Sequence, residues 1–71
     1  MTGKQLVSLN VRRLRLSQGL SQKALADAAG LQQPKISLIE VAKHDPQTAT
    51  LDALASALDV PTAELFRPVK K

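Results

Sequence analysis

Ser37, His44 and Asp45 are the side chains whose types could assemble a nucleophile, a base and an orienting acid. Nothing around them supplies an oriented triad or an oxyanion hole, so no enzyme is expected and no catalytic residue is assigned. His44 is the one histidine and cysteine is absent, which leaves no set of metal ligands and no expected cofactor. The remaining chemistry is charge. The formal net charge is +4 and the pI is near 10.0. The excess is uneven. Through His44, seven cations (Lys4, Arg12, Arg13, Arg15, Lys23, Lys35, Lys43) oppose two anions (Asp27, Glu40), giving +5. Beyond it, three (Arg67, Lys70, Lys71) oppose four (Asp45, Asp52, Asp59, Glu64), giving −1. An anionic partner would sit on the basic half, although the excess alone fits a solvated positive face equally well.

The elements that must carry these residues read as helices. Leu, Ala, Val and Ile dominate the apolar set, and Phe66 is the one aromatic, a composition that suits helices better than strands. Val7, Val11 and Leu14 recur at i, i+4, i+7, predicting helix 1 over Gln5 to Gln18, ended by Gly19. Ser21 is a good N-cap for helix 2, Gln22 to Ala29, with Leu20 and Leu25 placed as a hydrophobic staple. Helix 3 should begin near Gln33, since Pro34 is tolerated in a first turn, and end about Val41. Ala42 to Gln47 reads as a loop. Leu51, Leu54, Ala55 and Leu58 mark helix 4, starting between Gln47 and Thr50, and Asp59 to Pro61 breaks it. Thr62 to Phe66 reads as a short helix 5. The expectation is one all-α domain over residues 1–71, a compact five-helix fold with its core at about 9–66 and a tail at 67–71.

Two short helices joined around one glycine make a tight corner with fixed demands. Ala26, the fifth residue from Gln22, sits where helices 2 and 3 cross, and Gly30, the ninth, takes the left-handed turn. Leu25, Ala29, Leu31, Ile36 and Ile39 fill the inner faces. The string Leu20-Ser21-Gln22, Leu25-Ala26, Ala29-Gly30, Ile36-Ser37, Ile39-Glu40, Thr50-Leu51 and Leu65-Phe66 resembles the phage repressor and Cro (Xre, HTH cro/C1-type) family of helix-turn-helix proteins, over about Val11 to Phe66.

That resemblance implies a lambda-repressor-like domain whose third helix enters the major groove of double-stranded DNA. It places Gln22 on the DNA backbone, supporting Gln33, which reads adenine; a carboxamide can satisfy both N6 and N7 of that base. Gln32, Gln33, Lys35 and Leu38 are the expected base contacts, with Lys35 equally able to meet a phosphate. Pro34 among them can offer only apolar contact, for example to a thymine methyl. Lys43, His44, Arg12 and Arg13 are the further backbone contacts. The resemblance also pairs Arg15 with Glu40, read here as a structural tie between helices 1 and 3. Four positions depart from the family pattern. Gln32 stands at the helix 3 cap, Val41 replaces a polar residue and Ala42 the glycine common after helix 3, and Thr48 replaces an aliphatic residue.

A chain of this length buries only ~60% of its unfolded surface, so oligomerisation is expected; Val60, Leu65, Phe66 and Val69 either cap the core or, in the favoured reading, some of them form the dimer seam with helix 5. The reading is a transcriptional regulator, a repressor that binds a short palindromic operator as a homodimer, with no small-molecule effector. The alternatives are an antitoxin that also binds a toxin, and a helical interaction module without DNA binding. With no cysteine, no signal peptide and no apolar run near the roughly 18 residues of a membrane span, a cytoplasmic protein without a membrane partner is expected.

Overall fold

The computed structural model describes residues 2–69. Within them the chain forms α1 (Gly3–Ser17), α2 (Gln22–Ala29), α3 (Gln33–Glu40), α4 (Thr48–Ala57) and a 3-10 helix (Thr62–Phe66), an all-α fold. The last element corrects the expected fifth α-helix. Its amides bond three residues back, Glu64 N to Pro61 O at 2.9 Å and Arg67 N to Glu64 O at 3.3 Å. That is the tighter winding that short segments use.

α1 starts two residues before the expected Gln5 because Thr2 caps it. The Thr2 hydroxyl accepts from the Gln5 amide at 3.2 Å, and Gln5 Oε1 accepts from the Thr2 amide at 3.0 Å. This is a complete capping box. α2 has the expected bounds, with Ser21 Oγ accepting from Ala24 N at 3.0 Å. Gln32 caps α3 without a side-chain hydrogen bond, and Pro34 lies in the first turn.

All four α-helices end on a left-handed residue: Gly19, Gly30, Ala42 and Asp59, with φ of 69°, 70°, 59° and 58°. Each lets the following amide reach back to a carbonyl five residues earlier, as when Leu31 N meets Ala26 O at 2.8 Å and Lys43 N meets Leu38 O at 2.9 Å. Glycine adopts this conformation freely, whereas at Ala42 it costs roughly 1–2 kcal/mol. Ala42 therefore preserves the turn that glycine would give, and the loop after α3 keeps its path.

The core is built from Val7, Val11 and Leu14 of α1, Leu25 and Ala26 of α2, Ile36 and Ile39 of α3, Leu54, Ala55 and Leu58 of α4 and its cap, and Leu65. Ala26, 1% exposed, lies at the buried centre of the corner, where a longer side chain would force α2 and α3 apart. Ala29 and Leu31 pack at its edge. Val7 is buried with Val11 and Leu14, on the face of α1 that their spacing marked. One expectation is corrected. Leu65, placed in the dimer seam by the sequence reading, is fully buried in the chain's own core and has no surface left for a partner. Asn10 explains why: buried on the inner face of α1, it donates to Leu65 O at 3.0 Å and to Arg67 O at 2.8 Å, drawing the 3-10 helix inward. No helix of the described residues is long and apolar enough to cross a membrane.

Candidate nucleic-acid interface

α3 is held from behind by a buried polar cluster. The Arg15 guanidinium grips the Glu40 carboxylate through two bonds, Nε to Oε2 at 2.6 Å and Nη2 to Oε1 at 2.9 Å. Its third nitrogen, Nη1, donates to Leu20 O at 2.8 Å at the entrance to α2. The two side chains are only 10% and 4% exposed. Hydrogen bonding to Glu40 raises the Arg15 pKa above its ordinary value; burial opposes this and the Glu40 charge adds to it. Ser8 Oγ donates to the Glu40 backbone carbonyl at 2.5 Å, satisfying one of the acceptors that a helix leaves open at its last turn. The cluster thus joins α1, the α1–α2 corner and the end of α3, and fixes the angle at which α3 stands. This is the structural role expected for Arg15 and Glu40.

Gln22 belongs to the same cluster. Its carboxamide nitrogen donates to Glu40 Oε1 at 3.3 Å, so it steadies Glu40 and is not paired with Gln33. Ser8 and Asn10 were missed by the sequence reading. Asn10 sits at i+3 from Val7 on the apolar stripe of α1, where a polar residue is itself a signal of a buried hydrogen-bonding duty.

The outer face of α3 is open. Gln32, Gln33 and Pro34 are exposed, Leu38 is 45% exposed and Lys35 is half-buried. Neither Gln32 nor Gln33 has a side-chain hydrogen bond among the described residues, which leaves both carboxamides able to donate and accept outward. Lys43 is exposed and His44 half-buried in the loop that follows. By helical angle Pro34, Ser37 and Leu38 occupy the centre of this open face and Gln33 and Lys35 its two flanks, while Lys43 follows in the loop after α3.

Arg12 and Arg13 divide. At 100° per residue Arg12 flanks the edge of α1 that carries Ser8 and Arg15 and meets α3, whereas Arg13 flanks the Asn10 edge. There Arg13 donates to Asn10 Oδ1 at 3.1 Å and lines a surface recess with Arg67, Pro68 and Val69. Arg13 is therefore brought to the C-terminal segment and away from the α3 front. Of the remaining seam residues, Val60 packs half-buried against the core and Phe66 is 40% exposed beside Thr2 and Gly3.

A short helix packed across a second one around a left-handed glycine, its outer face open and polar at the N-terminal end, defines the helix-turn-helix class. A family model described as helix-turn-helix matches residues 11–65. The chain is 37% identical over 68 residues to an uncharacterized HTH-type transcriptional regulator of Sinorhizobium fredii, covering 96% of this chain and 88% of that one. Its fold is similar to the restriction-modification controller protein C.AhdI of Aeromonas hydrophila (TM-score 0.86, 32% identity, 89% of this chain and 96% of that chain). It is also similar to a hypothetical transcription factor from Neisseria (TM-score 0.90, 27% identity, 94% and 77%). A third likeness is to the controller protein C.Esp1396I, solved as a tetramer with its natural 35 base-pair operator (TM-score 0.84, 26% identity, 93% and 87%). The chain belongs to the helix-turn-helix family of phage repressor and Cro (Xre) type.

Proposed function

We propose that the chain is a sequence-specific transcriptional regulator that binds a palindromic operator as a homodimer, with α3 in the major groove, and represses from it. The observation that carries this reading is an α3 whose outer face stands clear of the fold while its inner end is locked to α1 by the Arg15–Glu40 pair. A reading head must be both accessible and fixed in angle. Gln33 is assigned to an adenine edge, Gln32 and Leu38 to neighbouring base pairs, Lys35 to a base or phosphate, and Lys43, His44 and Arg12 to phosphates. Gln22 acts chiefly through Glu40.

Size supports the dimer. Half-sites one helical turn apart lie ~34 Å from centre to centre, whereas the chain is 28 Å across its longest dimension and carries a single α3. Two copies are needed to read two half-sites, and Phe66, Val69 and the exposed part of Val60 are the seam residues that remain. The operators of the controller proteins bear on this chain only through the shared family.

The test is selection from random DNA duplexes at two salt concentrations, with Gln33→Ala in parallel. Recovery of a two-fold symmetric motif that relaxes at one position in the variant supports the reading. Weak, salt-sensitive, motif-free binding that the variant leaves unchanged overturns it.

A further inference from the structure

α1 and α4 turn oppositely charged faces away from the core. On α1, Gln5, Leu9, Arg12, Arg13 and Leu16 are exposed and lie across the helix from Val7, Val11 and Leu14. Leu9 is 41% and Leu16 56% exposed, and the two fall on one line along the helix with Arg12 on one side of it and Arg13 on the other. On α4, Thr48, Ala49, Asp52 and Ser56 are exposed across from Leu54, and Asp59 follows just past the helix end. The segment Gly3–Ser17 holds Lys4, Arg12, Arg13 and Arg15 and no anion; from Thr48 to Asp59 the chain holds two aspartates and no cation. One face is large and basic, the other small and acidic. Both run for the same stretch of sequence, Gln5 to Leu16 and Thr48 to Asp59, or ~16 Å of helix. A DNA backbone on the α1 face would satisfy its arginines and leave both leucines unburied, so the face is suited to a protein surface.

We propose that the outer face of α1 docks on the outer face of α4 of a second copy, with Leu9 and Leu16 seated over Ala49 and Ser56 and the arginines beside Asp52 and Asp59. Charge selects this occupant: α1 against α1 would crowd four arginines together, whereas α1 against α4 sets opposite charges face to face. The two helices pack on the same core and point these faces away from it, so one chain cannot join its own pair. The contact is therefore heterologous, passing from copy to copy in open rows, unlike the self-complementary seam at Val60, Phe66 and Val69. It needs no operator, and rests on the homodimer reading above only for the size of the unit that assembles. Arg12 lies on the edge nearer α3 and is the one shared with DNA; Arg13 stands on the far side. One helix laid on another buries less than a standard interface, so the contact is weak and forms at roughly 0.1–1 mM protein.

The experiment is sedimentation velocity of the full chain without DNA, at concentrations up to about 1 mM. Species larger than the dimer grow in with concentration and dissociate in ~0.5 M salt, which screens the charge pairing. In the α1 variant, Leu9→Ala with Leu16→Ala weakens this association about tenfold, the scale of a leucine side chain returned to water. In the α4 variant, Asp52→Asn with Asp59→Asn weakens it as well. Asp52→Asn retains the oxygen that accepts from the Thr62 hydroxyl at 2.8 Å, and Asp59→Asn suits the left-handed φ of 58° there. Circular dichroism shows each variant folded. The decisive arm mixes the two variants in equal amounts: association returns, because the α1 variant keeps an intact α4 face and the α4 variant an intact α1 face. A mixture that stays apart overturns the proposal, as does association that ignores salt. An α4 variant that loses the dimer itself places that face in the seam and also overturns it. A chain that selects an operator but forms nothing beyond the dimer overturns this proposal alone, and one that assembles as described but selects no duplex overturns the operator reading alone.

Discussion

Two ion pairs in this fold have opposite energetic meaning. On the outer face of α2, Lys23 Nζ meets Asp27 Oδ2 at 3.2 Å with side chains 72% and 67% exposed. Behind α3, Arg15 meets Glu40 at 2.6 Å with side chains 10% and 4% exposed. The first pair exchanges one solvated arrangement for another and contributes ~0.3–0.5 kcal/mol at most. The second has given up water on both sides and offsets that loss only through two-point contact, the bond that Arg15 donates to Leu20 O and the bond that Glu40 accepts from Gln22. Charge alone therefore says little about which cations of this basic chain matter to the fold. Enclosure decides it.

The comparison is broken most severely by Glu40→Ala, which strands a buried guanidinium and is expected to lower stability by ~3–5 kcal/mol in urea unfolding. A domain of this length has only roughly 4–10 kcal/mol in total, so the variant sits at the edge of folding. Replacing both partners, Arg15→Met with Glu40→Leu, should recover most of that loss. If the double replacement is instead as damaging as the single one, the pair is being held for more than its charge balance. Asn10→Ala tests a neutral group in the same kind of enclosure. It leaves the carbonyls of Leu65 and Arg67 without their donor and should cost ~1–3 kcal/mol, with the 3-10 helix losing amide-exchange protection first. Ala42→Gly relieves the left-handed alanine and should raise stability by ~0.5–1 kcal/mol, read as a shift in denaturation midpoint. Asp27→Ala is expected to change stability by less than ~0.5 kcal/mol, and by nothing measurable in ~1 M salt, where the Glu40→Ala loss persists.

The pH dependence follows the same division. The Arg15 pKa is raised in the folded chain, so its contribution is fully present below its unfolded value and lost only as pH rises through the still higher folded one. Thermal unfolding followed between about pH 6 and pH 9 should show no loss traceable to this arginine.

Where the residue identities are themselves punctuation, the sequence was legible. Ser21 and Gly30 bracket α2 without ambiguity, and the left-handed Gly30 together with Ala26 announces the corner. The start of α1 was as readable, since Thr2 and Gln5 stand at capping-box spacing ahead of the apolar stripe, but the reading began the helix at Gln5 and gave Thr2 no role. Five residues at Thr62–Phe66 are too few for periodicity to separate 3-10 from α winding. Leu65 was misplaced because an apolar side chain near the end of the last element suits a core and a seam equally, and the deciding fact is a hydrogen bond from Asn10. The open front of α3 could be read from residue types and spacing. Its bracing could not: the link from Arg15 to Glu40 entered through family resemblance, and Ser8 reaches a carbonyl 32 residues away that no local pattern reveals.

The clasp at Asn10 also has a meaning in time. It joins positions 55 and 57 residues apart, so α1 can complete its packing only after that much more chain has been made. At 5–20 residues per second, synthesis leaves a window of roughly 3–11 s in which Val11 and Leu14 have no Leu65 to close over them. During that interval the nascent chain shows its apolar stripe to chaperones and proteases, and the helix that braces α3 waits for its last partner.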